Sequence, residues 1–114
     1  MADATLHVRV VSPEKIVFEG EASALIAPAW DGMVGILPGH APMLALLGVG
    51  LLSLELPGGG GEGYHVAGGV MKIERNMVTI LTEYAGDEPL RDIPPGIVVH
   101  PEDFGSARWE NPLV

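Results

Sequence analysis

The sequence predicts an all-β domain, a sandwich or barrel of about eight to ten short strands with a proline-rich C-terminal tail. Two observations predict it. Apolar residues recur with a period of two in several short segments of the first 85 residues, the spacing of half-buried strands. Glycine (16) and proline (10) are frequent and fall between those segments, where turns need them.

The first strand is read from Leu6, Val8 and Val10, which alternate with His7 and Arg9. Ser12-Pro13-Glu14 turns the chain. Ile16 and Phe18 are then expected on one face, with Val17, Glu19 and Glu21 on the other. A third apolar run covers residues 23–27. Asp31-Gly32 is a turn signal, residues 33–37 form another strand, and Pro38-Gly39 punctuates again. Residues 43–47 are too short for a stable helix and end at Gly48, so they are read as a strand.

Leu52, Leu54 and Leu56 alternate with Ser53 and Glu55. The four glycines from 58 to 61 then read as a flexible hairpin loop. A phosphate cradle would need a helix and a lysine after them, and neither follows. Residues 64–67 resume the sheet, and Gly68-Gly69 marks a bulge or a close backbone approach. Met71 and Ile73 pair with Val78 and Ile80 across a turn at Arg75-Asn76, where asparagine tolerates positive φ. Residues 1–85 therefore form the sandwich domain. Residues 86–114 form an irregular tail, because Pro89, Pro94, Pro95, Pro101 and Pro112 forbid a long helix. Within the tail only Ile97 to Val99 reads as a strand, and Phe104 and Trp109 are candidates to pack on the sandwich.

Composition excludes several classes of function. With 47% hydrophobic residues the chain can bury a core. It has no cysteine, so disulfides, thiolate metal sites and thiol nucleophiles are ruled out. The formal charge of -9 disfavours nucleic acid and anionic lipid as direct partners. Membrane association is expected only through a protein partner. No signal peptide is read at the N-terminus, and the longest apolar stretch, residues 41–52, is too short to span a bilayer.

Catalytic patterns are weak. His7, His40, His65 and His100 form no HxH or HExxH spacing, and Ser12, Ser23, Ser53 and Ser106 lack the G-x-S-x-G context. No catalytic residue, metal ligand or cofactor site is predicted. A metalloenzyme built on His40 and a free-standing ligand-binding module are the competing readings. The segment from Asp31 to Pro42 stands apart: two prolines flank a glycine and a histidine in a tight bend, and rigid loops on a rigid sandwich suit docking. Trp30 beside it is either an exposed apolar anchor or a core aromatic.

Gly35-Ile36-Leu37-Pro38-Gly39-His40-Ala41-Pro42 resembles the G-I-x-P-G-H-A-P signature of the epsilon subunit of rotary, F-type ATP synthases. Val10-Val11-Ser12-Pro13-Glu14 resembles that family's V-V-S-x-E, Phe18-Glu19-Gly20 its F-x-G, and Ala67-Gly68-Gly69-Val70 its S-G-G pattern. The match runs from about Leu6 to Ala85.

The resemblance implies a flattened sandwich of two antiparallel sheets with no catalytic activity of its own. It implies a place on the central stalk, bound to the gamma subunit and resting on the ring of c subunits, on the cytoplasmic face of the bacterial inner membrane. By the same resemblance Trp30, Asp31, Gly32, Met33, Gly39 and His40 map to ring-facing loops, and Ser12 to the gamma-facing surface. Members of the family often carry an acidic residue where Met33 stands, so an apolar or differently paired contact is expected here. Most bacterial members continue into a pair of helices that can inhibit ATP hydrolysis. The proline-rich tail takes their place, so neither an inhibitory hairpin nor a nucleotide site is expected.

Overall fold

The computed structural model describes residues 4–88 and contains ten strands among them. In chain order they are β1 (Leu6–Val11), β2 (Ile16–Ala22), β3 (Ala24–Ala29), β4 (Gly32–Ile36), β5 (Met43–Leu46), β6 (Val49–Glu55), β7 (Gly61–Ala67), β8 (Val70–Glu74), β9 (Met77–Leu81) and β10 (Tyr84–Gly86). The strand read at Ile97 to Val99 and the packing of Phe104 and Trp109 lie outside the described residues. The last described strand runs to Gly86, one residue past the boundary expected at Ala85.

The strands form two five-stranded sheets. The first has the order β2-β1-β9-β8-β5, and the second β10-β7-β6-β3-β4. Every pairing is antiparallel except β1 with β9. A parallel pair cannot be closed by a hairpin, and here the chain builds the whole of β2 to β8 between the two partners.

Alternation along the strands produces the core. Leu6, Val8 and Val10 of β1 point inward with Met71, Ile73, Val78 and Ile80. Leu25, Ile36, Leu52, Leu54 and Val66 of the second sheet meet them, and all of these side chains are almost fully buried. Fully burying a side chain of this size stabilises the fold by about 1.5–3 kcal/mol. Phe18 of β2 meets Tyr64 of β7 with ring centroids 6.2 Å apart, joining the two sheets along one side.

One alternation departs from the expectation. Ile16 and Phe18 do not share a face. A β-bulge between Val10 and Val11 pairs Val10 with Phe18 but Val11 with Ile16, leaving Val17 as the extra residue. An inserted residue reverses the sense of every side chain beyond it. Val17 and Phe18 therefore pack on the core, while Ile16 is on the outer face and 48% exposed.

The turns follow their residues. Arg75 and Asn76 both adopt positive φ, 52° and 61°, the conformation a two-residue hairpin turn requires. At Gly69 the backbone passes so close to Leu81 and Thr82 that a Cβ would collide with it, which is the close approach expected of the Gly68-Gly69 pair. Thr82 is the one buried polar residue among those described. Its amide donates to Val11 and its hydroxyl lies 2.7 Å from the carbonyl oxygen of Gly68, fastening the crossover from β9 to β10 against β1 and the β7–β8 turn.

Candidate interaction surfaces

The segment from Leu37 to Pro42 carries the chain from β4 in the second sheet to β5 in the first. Its shape follows from its sequence. The His40 amide donates to the Leu37 carbonyl at 3.1 Å, and Gly39 has φ +89°. Proline at the second position and a positive-φ glycine at the third are what a type II turn requires. The Gly39 amide then donates to Oδ1 of Asn76 at 2.7 Å, and the Asn76 carbonyl accepts the amide of His7 at 2.8 Å. One asparagine thus joins the connecting loop, the β8–β9 turn and the start of β1. The ring of His40 donates through Nδ1 to the Ala41 carbonyl at 2.7 Å.

Trp30, Asp31, Gly32 and Met33 lie at the other end of β4, at the tip of the β3–β4 hairpin. The structure therefore does not bring the six loop residues together. Gly39 and His40 sit with Asn76 at one end of the sandwich. The Trp30 tip sits at the other, beside the end of β5, where the Trp30 amide donates to the Leu46 carbonyl at 2.9 Å. Trp30 is 53% exposed, which settles its two readings in favour of an exposed side chain. Met33 is exposed next to it. Ser12 is at the same end as the tip, in the β1–β2 turn, where its amide donates to the Lys15 carbonyl.

Periodicity alone did not single out a further surface, which the strand register creates. Leu46 pairs with Val70, Val70 with Leu81, Leu81 with Val11, and Val11 with Ile16. All five point outward, so an apolar row crosses the whole outer face of the first sheet at the Trp30 end. Leu46 is 59% and Leu81 49% exposed. Leu44 and Met77, further along the same face, are also exposed. The signal was present as the outward residue of each strand, but only the register aligns them.

The far corner of that face is charged. His7 lies between two carboxylates of β2, with Nδ1 2.7 Å from Glu21 and Nε2 3.3 Å from Glu19. Its hydrogen bond with Glu21, seconded by Glu19, raises the imidazole above its ordinary pKa of 6.5. Glu21 is held below its ordinary 4.5, first by the Thr5 hydroxyl and then by His7. Arg9 reaches Glu19 at 3.9 Å. Among the described residues no group of three His, Asp or Glu side chains is placed to hold a metal ion.

This geometry can be set beside known proteins. Residues 5–87 match the family described as ATP synthase, Delta/Epsilon chain, beta-sandwich domain. The ATP synthase epsilon chain of Psychrobacter cryohalolentis is 43% identical over 82 residues, covering 72% of this chain and 59% of the relative. That of Leptospira borgpetersenii serovar Hardjo-bovis is also 43% identical, over 79 residues, covering 69% and 61%. The chain spans about three-fifths of the length of these curated relatives. Among solved structures, a chain in the Euglena gracilis mitochondrial ATP synthase (OSCP/F1/c-ring) aligns with a TM-score of 0.69 at 25% identity, covering 80% of this chain and 57% of that one. A chain in the Tetrahymena thermophila mitochondrial ATP synthase central stalk/c-ring structure shares the fold, with a TM-score of 0.61 at 18% identity over 76% of this chain and 69% of that one.

Proposed function

The chain belongs to the ATP synthase delta/epsilon family, and on that premise we propose that it is a non-catalytic rotor subunit of the central stalk, coupling ion-driven rotation of a c-ring to the catalytic head. The observation that carries this reading is the apolar row Leu46-Val70-Leu81-Val11-Ile16 across the outer face of the first sheet. A row of large side chains left half in water is unfavourable for a free domain and favourable for one held against a partner. The gamma subunit is the partner assigned to this face. Ser12, adjoining Val11 at the end of the row, falls within the same contact. A standard interface of roughly 1,600 Å² in total would cover the row and its neighbours.

The ring contact is assigned to the β3–β4 tip. Trp30 and Met33 present apolar surface there, which supports the apolar contact expected where members of the family often carry an acidic residue. Gly39 and His40, at the opposite end, are assigned to shaping the loop between the sheets rather than to touching the ring. Two sheets packed at crystal-like density resist deformation, so torque entering at the tip is passed to gamma rather than absorbed. No helix among the described residues is long and apolar enough to cross a membrane. The assigned location is the cytoplasmic face of a bacterial inner membrane, reached through the protein partners.

The test is binding of the full chain to the gamma subunit from the same genome, at physiological salt. Leu81→Asp, at the middle of the row, should weaken that binding roughly tenfold or more, since a central anchor carries about 2 kcal/mol or more and a tenfold loss is about 1.4 kcal/mol; Leu46→Asp, at the row's end, should weaken it less. Trp30→Ala combined with Met33→Ala, which removes the apolar tip, should abolish retention on c-rings and leave gamma binding intact. A wild-type chain that binds neither gamma nor c-rings would transfer the leading reading to a free-standing ligand-binding module.

A further inference from the structure

A strand at the edge of a sheet leaves a row of backbone N–H and C=O groups without a ladder partner. The two sheets have β2, β5, β10 and β4 at their edges, and all but β4 carry a feature that discourages further pairing. β2 has the bulge opposite Val10 and Val11 and the carboxylates of Glu19 and Glu21. β5 has only 4 residues and β10 only 3. The 5 residues of β4, Gly32-Met33-Val34-Gly35-Ile36, pair with β3 in unbroken register and include no charge and no proline. Among the described residues no strand pairs with the other side of β4.

Alternation names the open groups of that edge. Antiparallel neighbours switch between pairs that exchange both hydrogen bonds and pairs that exchange none. Ala29 and Gly32 close the Trp30-Asp31 turn and belong to the first kind, and so by alternation do Ala27 with Val34 and Leu25 with Ile36. Met33 stands opposite Pro28, which has no N–H to give. The N–H and C=O of Met33 and of Gly35 therefore point away from β3. Met33 is 41% exposed, and a Cβ on Gly35 would meet nothing within 4 Å. Gly35 does not hold positive φ either, so the fold makes no demand for glycine there. A glycine inside a strand suits the close approach of another backbone.

We propose that β4 pairs antiparallel with β4 of a second copy of this chain, about a two-fold axis at Val34. This is strand addition at a sheet edge in its closed, isologous form. The axis sets Met33 opposite Gly35 of the second copy, and Gly35 opposite Met33 of the second copy. Those are the residues with open groups, so each such pair exchanges both of its hydrogen bonds and none of these groups is left over. The side chains agree, because each methionine faces a residue with no side chain. Charge selects the occupant. The chain carries a formal charge of -9, so two copies repel wherever their carboxylates meet. Pairing through β2 would bring Glu19 and Glu21 of both copies together, whereas residues 32–37 carry no charge. The pairing does not depend on which assembly the chain joins. Its consequence rests on the ring contact proposed above: Met33 serves both, so a paired chain is not one seated on a ring.

The chain has no cysteine, so one introduced cysteine reports the axis without background. The full chain carrying Val34→Cys is oxidised mildly at physiological salt, with Lys72→Cys, exposed on the first sheet, as the control. Opposed residues that exchange no hydrogen bonds have Cα atoms about 4.5 Å apart, within the ~4.4–6.8 Å of a disulfide. Val34→Cys should give covalent dimers roughly tenfold faster than the more exposed control, because pairing holds its thiols at high effective concentration. Sedimentation of the wild-type chain at rising concentration should show the mass moving from one chain toward two. Gly35→Pro puts a ring where the open N–H was and should hold the mass at one chain. Gly35→Lys, which charges the edge at a position with room for a side chain, should do the same and serves if the proline lowers the urea midpoint. A wild-type mass that stays at one chain, or cross-linking no faster than the control, would overturn the proposal. Dimers that survive in both Gly35 variants would overturn it too, and move the contact to another surface.

Discussion

The amide of Gly39 donates to Oδ1 of Asn76 at 2.7 Å, so the loop that joins the two sheets is clamped to a hairpin turn of the first. Both residues hold positive φ. Asn76→Gly keeps the turn and removes only the acceptor, which should cost about 0.5–1.5 kcal/mol. Asn76→Ala adds the left-handed strain of a residue with a Cβ, a further ~1–2 kcal/mol. The order of urea midpoints should be wild type, then Asn76→Gly, then Asn76→Ala. Equal midpoints for the two variants would show that the turn carries no strain.

Gly69 is the more demanding position. A methyl group there meets the Leu81 carbonyl and the Thr82 backbone, at a φ of +113°. Backbone, unlike a flexible side chain, cannot move aside without disturbing the crossover from β9 to β10. Gly69→Ala should destabilise by more than about 3 kcal/mol, in the range reserved for core disruption. Gly35→Ala, where a Cβ meets open space, should stay within about 0.5 kcal/mol. Denaturant midpoints of the two variants give the comparison directly.

The bulge at Val10 and Val11 makes a prediction opposite to simple alternation. Ile16 faces solvent and Val17 the core. Ile16→Gln should therefore leave stability within about 0.5 kcal/mol, while Val17→Gln should cost roughly 1–3 kcal/mol for a polar group pressed against the core. The reverse ranking by thermal unfolding would remove the bulge.

The His7–Glu21 pair should leave a mark on the pH dependence of stability. His7 is raised above 6.5, so its contribution is complete below that value and is lost as pH rises through the folded pKa. Glu21 is lowered below 4.5, so its contribution is present above that value and is lost as pH falls through the folded pKa. Both together are strongest between 4.5 and 6.5. His7→Gln should narrow the gap to wild type on either side of that window, and more so at low than at high salt, because the pair is exposed. A gap independent of pH would mean that His7 contributes only as a spacer.

Much of the fold was legible before any coordinates. The Gly68-Gly69 pair marked a close approach, though only the fold names its partners as Leu81 and Thr82; Leu6, Val8 and Val10 announced an inward face and Asn76 its turn, because each depends on neighbours only a few residues away. The Pro38-Gly39 bend was legible for the same reason. Ile16 was misplaced because a bulge leaves no trace in period-two counting; it exists only in the pairing with β1. The candidate surface was less legible. The family resemblance groups six loop residues, yet β4 runs between Gly32 and Ile36 and carries Gly39 away from Trp30.

The sequence by itself determined the all-β class, the sites of the turns and the family, since local backbone preferences and a short specific signature are written residue by residue. Tertiary structure decided which face each of those residues shares with residues far along the chain. Leu46, Val70, Leu81, Val11 and Ile16 become one apolar row only through four strand pairings, one of them parallel and one beside a bulge. Register is a property of partners, and a shift of one residue would have turned the same side chains into the core.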